Sequence, residues 1–180
     1  MKISRVWAMP SRWTFTIPPI ADLLAKYVAD GKGWIDPFAG MSSPAELTND
    51  IDPATAAVSH MDALQWLRQL LNESYRGALF DPPYSDEQCL RLYTPVQRGT
   101  AGRAEYWARC KQEIARVIQV GGYVVSCCWD STGIGRERGF EIQEILLVCH
   151  GACHNDTIVT VERKVQGGLN MPSILENGNG

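Results

Sequence analysis

Four times in its first half the sequence sets an aspartate at or just past the end of a short strand-like stretch. Asp36 follows Trp34-Ile35, Asp50 closes residues 45–50, Asp62 follows residues 56–60, and Asp81 follows Gly77-Ala78-Leu79-Phe80. Singly, each acid reads equally well as a helix cap, because aspartate is a favoured N-cap residue. As an ordered series they imply something narrower: parallel strands that each deliver a carboxylate to the carboxyl edge of one sheet, where open α/β sheets bind ligands. That constraint sets the fold class as α/β with a mainly parallel sheet.

The segments between fit this reading. Ile20, Leu23, Leu24, Tyr27 and Val28 follow helical spacing, with Thr16 as a cap, Pro18 and Pro19 in the first turn and Gly31 at the end. Residues 63–71 read as a short helix, and 104–119 as an amphipathic helix ended by Gly121-Gly122. Residues 123–128 read as a buried strand, and 141–148 with 157–164 as two strands close enough to pair antiparallel. Residues 85–103 show no period and read as a loop. The expectation is one domain over 1–166 and a loose Gly/Asn-rich tail over 167–180, with no separate target-recognition domain.

The stretch with the most chemistry is Asp81-Pro82-Pro83-Tyr84. Two prolines lock the backbone. A rigid loop of this kind holds a carboxylate and a backbone carbonyl as two fixed acceptors, which match the two N–H donors of a planar amine. Tyr84 offers a ring to stack on a base. In Asp36-Pro37-Phe38-Ala39-Gly40, an acid at a strand end is followed by an aromatic and by a glycine suited to a tight turn beside a ligand. Asp50, in Asn49-Asp50-Ile51-Asp52, is placed to take ribose hydroxyls, and Asp62-Ala63 to take an adenine amine.

Together these motifs resemble the amino-methyltransferases, which use S-adenosylmethionine to methylate adenine-N6 or cytosine-N4 in DNA. The chain is especially similar to short, phage-type adenine-specific DNA methylases, from about Trp7 to Lys164. The resemblance implies a Rossmann-like methyltransferase fold with a C-terminal antiparallel hairpin, S-adenosylmethionine as cofactor and DNA as partner. It implies that Thr14, Phe15, Asp36, Phe38, Gly40, Asp50, Asp62 and Ala63 bind the cofactor. Asp81, Pro82, Pro83 and Tyr84 would form the catalytic loop, and Tyr84 with His154, Asn155 and Asp156 would border the target base. An Asp at the first motif position favours adenine over cytosine.

The chain departs from the family in three ways. Its first loop reads Phe38-Ala39-Gly40-Met41-Ser42, with one glycine where the family has two. Only residues 41–48 separate Gly40 from Asn49, too few for a strand and a crossover helix. Sequence specificity would have to be low, or come from a partner or a second copy.

Composition sets the alternatives. A net charge of −3 argues against a dedicated nucleic-acid binder, so RNA or a small purine stays open as substrate, as does a role as an S-adenosylmethionine-binding regulator. Arg98, Arg103, Arg109, Arg136 and Arg138 are the candidates for a local basic rim. Cys149-His150-Gly151-Ala152-Cys153-His154 groups four soft ligands, but at a spacing that fits no standard zinc pattern, and no metal is expected. Gly133-Ile134-Gly135 is too short for a phosphate loop. With no apolar run of membrane length and no signal core, the expected location is cytoplasmic, with the six cysteines reduced.

Overall fold

The computed structural model describes residues 1–83, 100–151 and 154–166. Its strands are β1 (Lys2–Trp7), β2 (Trp34–Asp36), β3 (Leu47–Thr48), β4 (Tyr75–Phe80), β5 (Ile118–Cys128), β6 (Phe140–Cys149) and β7 (Thr157–Lys164). They form one sheet in the order β1-β6-β7-β5-β4-β2-β3. All neighbours are parallel except β7, which runs antiparallel between β5 and β6. The fold is α/β with the expected antiparallel hairpin.

The central strands are buried on both faces, so alternate side chains feed two cores. Leu79 and Val125 pack against Ile20, Leu23 and Leu24 of α1 (Pro18–Tyr27) on one side. Ala78, Phe80 and Val124 face the other side. There they meet Leu64 and Leu67 of α2 (Ala63–Gln69) and Cys110, Ile114 and Val117 of α3 (Thr100–Val117). Sheet growth reverses at β2, with β3 on one flank and β4 on the other. That reversal is the topological switch point, and the crevice outside the carboxyl ends of β2 and β4 is where such sheets take ligands.

Four local expectations are corrected. The second strand contracts from 45–50 to Leu47–Thr48, and the third, over 56–60, to the single bridge between Asn49 and Ser59. Pro44 and Pro53 flank these segments and donate no ladder bond, and residues 37–46 contain no helix. Gly121 and Gly122 do not end α3. They lie inside β5, where its register against β4 shifts between Tyr75 and Gly77. Gly121 has φ +87°, and a Cβ on Gly122 would sit 2.7 Å from the Arg76 carbonyl. The end of α3 is held instead by the buried Lys164 ammonium, which donates to Ala115 O at 2.8 Å and Ile118 O at 2.7 Å.

Thr16 does not cap α1. Ile17 occupies the cap position, and the Thr16 hydroxyl donates to Trp13 O at 2.7 Å, closing a short 3-10 turn over Thr14–Thr16. Finally, β1 is a strand that hydrophobic patterning does not reveal. Most of its residues are exposed at the sheet edge. Lys2 fastens it to the buried Glu144, which also accepts from Lys26 and Tyr27 of α1.

Candidate functional site

Asp36 ends β2 and is fully buried. Its Oδ1 accepts from the Phe38 N–H at 3.0 Å and its Oδ2 from the Ser43 hydroxyl at 2.6 Å, so the carboxylate folds the loop after β2 around itself. Burial pushes the carboxyl up to about 7 against these two bonds, and the charges of Asp81 and Asp50 push the same way. The folded protein therefore holds this proton more tightly than the unfolded chain. The stabilisation is complete below the ordinary aspartate value of about 4 and is lost as pH rises through about 7. Asn at position 36 removes it. The melting temperature of Asp36→Asn is expected to gain on the unmodified protein as pH rises from about 4 to about 8. Curves that stay parallel over that range would show that Asp36 titrates as an ordinary surface acid.

Asp50 stands on the next strand end. Its Oδ2 accepts from the Gly40 N–H at 2.9 Å and its Oδ1 from the Asp52 N–H at 2.9 Å. Gly40 has φ +54°, and a Cβ there would meet the Trp13 ring at 3.3 Å. The glycine therefore serves both the turn and the close approach of the Trp13-Thr14-Phe15 segment. Phe15 itself is buried in the α1-side core. Asp62 is the N-cap of α2, accepting from Gln65 N–H at 3.0 Å, and its second oxygen accepts from the Tyr106 hydroxyl at 2.8 Å. Ala63 follows it, buried. Phe38 packs edge-on against Phe80 and Trp107, at 5.7 and 5.4 Å between ring centroids.

One organising residue escaped the sequence reading. Asn49 is fully buried and ties three loops together. Its Nδ2 donates to Pro37 O at 3.2 Å and Met61 O at 3.0 Å, and its Oδ1 accepts from Met61 N–H at 3.0 Å. Its backbone joins the same knot, accepting from Ala39 N–H and donating to Asp36 O. The signal was slight, an amide at the end of a strand-like stretch of mixed polarity, where a buried polar group needs partners, and the acid beside it carries the more obvious chemistry.

Asp81 and Pro83 are half-buried and Pro82 is buried, directly beyond the end of β4. Asp36 and Asp81 thus stand at the carboxyl ends of the neighbouring strands β2 and β4, with Asp50 just beyond β3, close enough for the Asp81 and Asp50 charges to act on the Asp36 carboxyl. Tyr84 lies outside the described residues. His154, Asn155 and Asp156 are exposed in the turn from β6 to β7. That turn shares the carboxyl edge with Asp81, but β7 is two strands from β4, about 10 Å away. Asp156 accepts from His150 N–H at 3.0 Å.

Two members of the soft-ligand cluster are otherwise employed. Cys149 Sγ accepts from Arg5 at 3.0 Å, and both His150 ring nitrogens lie at 2.9 Å from Ala8 O and Thr157 Oγ1. Cys153 lies outside the described residues. Cys110, Cys127 and Cys149 are buried free thiols, and Cys128 is buried beside them. The Gly133-Ile134-Gly135 backbone does cradle an anion, but an internal one: the buried Glu162 carboxylate accepts from the Ile134 and Gly135 N–H groups at 2.5 and 3.1 Å. Among the described residues no helix is long and apolar enough to cross a membrane.

No protein-family model and no curated protein matches the chain by sequence. Solved structures do resemble it. TrmN from Thermus thermophilus matches with a TM-score of 0.55 at 15% identity, over 83% of this chain and 49% of that one. The chain thus spans about half the length of TrmN. The Burkholderia thailandensis 1,6-didemethyltoxoflavin-N1-methyltransferase, bound to that compound and S-adenosylhomocysteine, matches with 0.55 at 13% identity, over 82% and 77%. The cyclase SpnF matches with 0.51 at 14% identity, over 87% and 85%. These likenesses show the fold, a Rossmann-like methyltransferase fold. Since one of the three carries the name of a cyclase, fold by itself does not decide the reaction.

Proposed function

We propose that the chain transfers a methyl group from S-adenosylmethionine to the exocyclic N6 amine of adenine in DNA. The observation that carries this reading is Asp81-Pro82-Pro83 at the carboxyl end of β4, at the switch point beside Asp36 and Asp50. The donor set fits the cofactor. Each Asp50 oxygen spends one acceptor site on a backbone N–H, which leaves one on each for two ribose hydroxyls. Asp62 and Ala63 are the proposed contacts to the cofactor's adenine. Thr14, Phe15, Asp36, Phe38 and Gly40 would form the wall around its methionine end.

S-adenosylmethionine supplies a methyl group already activated by the sulfonium, so the protein's task is to prepare the nucleophile. The adenine amine is a poor one because its lone pair is delocalised into the ring. In this reading Asp81 and the Pro82 carbonyl accept hydrogen bonds from its two N–H groups and turn the lone pair towards the methyl group. As the N–C bond forms the S–C bond would break, and the methylated amine, then strongly acidic, would lose one proton to water. Pro83 holds that geometry. Tyr84 stacks on the base once it has left the duplex, and His154, Asn155 and Asp156 border it.

The net charge of −3 keeps a second substrate class open, a small purine before RNA because RNA is a polyanion too, and leaves room for a regulator that binds the cofactor alone. Methyl transfer from labelled S-adenosylmethionine into DNA, RNA and free adenosine separates these readings. Label in DNA at adenine-N6 is the expected result, and cofactor binding without transfer to any of the three would overturn it.

Asp50→Ala should weaken S-adenosylmethionine binding about ten- to a hundredfold by calorimetry, from about 1.5–3 kcal/mol for lost charged hydrogen bonds. Unchanged affinity would reduce Asp50 to a tie for the Gly40 loop.

A further inference from the structure

The face of the sheet that carries α2 and α3 holds a cavity of about 550 Å3, between α3 and the 131–138 segment that leads from β5 to β6. This volume lies within the range of small-ligand sites, about 300–1,000 Å3. Lys111, Arg136 and Arg138 line it, along with Trp107, Thr132 and the Gly133–Gly135 backbone. The acids nearby are already committed. Asp130 accepts from the Thr132 N–H and hydroxyl, Glu137 pairs with Arg138, and Glu162 holds Ile134 and Gly135. Among the described residues Lys111 and Arg136 make no hydrogen bond or ion pair. Lys111 stands over the Phe80 ring, 5.7 Å from its centroid, and its charge reaches Asp130 and Glu162 through space. Two cations with no direct hydrogen bond or ion pair in a concave site, each able to turn its donors outward, point to an anionic ligand.

The cavity also shares a wall with the reaction site. Phe80 immediately precedes Asp81, and Trp107, on the cavity wall, packs on Phe38 of the loop that Asp36 organises. An anion held here lies next to the catalytic loop.

We propose that this cavity binds a backbone phosphate of the nucleic-acid substrate beside the target nucleotide, with Lys111 and Arg136 as its contacts. The inference rests on the reading of the chain as a DNA methylase. It also answers the objection raised by the acidic net charge: affinity comes from a local pair of cations, and phosphate contacts position the strand while carrying no sequence information.

The test uses the full chain and a short fluorescein-labelled DNA duplex, with binding followed by anisotropy across a salt series. Lys111→Gln and Arg136→Gln are each expected to weaken binding about three- to tenfold. Each should also flatten the slope of log affinity against log salt by about 0.9, one phosphate contact. S-adenosylmethionine affinity, measured by calorimetry, should stay unchanged. A duplex bound equally well by both variants, with the same salt slope, would overturn the cavity as a phosphate site and leave the methylase reading standing. A protein that binds no duplex, yet binds inorganic phosphate or adenosine monophosphate in a Lys111- and Arg136-dependent way, would overturn the nucleic-acid source. The fault would then lie with the DNA reading, not with the anion site.

Discussion

Asp81→Ala is expected to lower methyl transfer by a factor of about a hundred to a thousand, while S-adenosylmethionine affinity stays within a fewfold of that of the unmodified protein. Removing one preorganised group that acts on the reacting atoms typically costs about 10²–10³ in turnover. Asp81 supplies one of the two acceptors proposed for the amine, so the loss should fall on kcat rather than KM. The cofactor contacts proposed here come from the Thr14-Phe15 segment and from the loops after β2, β3 and the third-strand bridge, none of which includes residue 81. A second readout is independent of turnover. The Asp81 charge is one of the causes that raise the Asp36 carboxyl. Asp81→Ala should therefore shift the pH dependence of stability associated with Asp36 to lower pH, even where activity is undetectable. Near-normal methyl transfer by the variant would remove the central proposal.

What the sequence made legible follows from the kind of force involved. Asp36 and Asp81 are visible because the strands before them are apolar and the acids are not, whereas Asp50 and Asp62 are legible only as members of the ordered series. Asp36 and Asp81 lie at the carboxyl ends of neighbouring strands, Asp50 lies just beyond β3, and Asp62 falls at the head of α2. The β6–β7 hairpin was readable from two apolar runs separated by a polar turn. Edge strand β1 was not, because a strand with one open edge and a mostly exposed face carries no hydrophobic alternation. Gly121-Gly122 misled for a related reason. A glycine pair after a helical pattern signals a C-cap, whereas here the requirement comes from β4, whose Arg76 carbonyl leaves no space for a Cβ. Lys164 and Glu162 were invisible as structural residues, since their partners are backbone groups at least 27 residues away in the chain. The short first crossover was legible as a count of residues, but its consequence was not. With no helix between β2 and β3, the loops must be held by side chains, chiefly those of Asp36, Asp50 and Asn49.

That consequence makes Asn49 the residue whose loss should damage stability and cofactor binding together. Its amide makes three hydrogen bonds, to Pro37 O, Met61 O and Met61 N–H, and it has no exposed surface. Asn49→Ala leaves those backbone groups without partners. Each unsatisfied buried group costs about 1–3 kcal/mol, and part of the loss is recovered where water reaches the half-buried Met61. A total of about 2–4 kcal/mol is expected, which for a chain of this size lowers the melting temperature by about 5–15 °C. The three loops so released carry Asp36, Gly40, Asp50 and Asp62. S-adenosylmethionine affinity should fall as well, even though Asn49 is not proposed to touch the cofactor. Thermal melting with and without cofactor, paired with calorimetry, checks both halves. A destabilised variant that still binds the cofactor normally would mean that the loops hold their geometry without the knot. Asn49→Asp sharpens the comparison. It keeps the acceptor for Met61 N–H but loses both donated bonds and buries a charge next to Asp36, so it should be at least as destabilising as alanine above neutral pH and recover in acid.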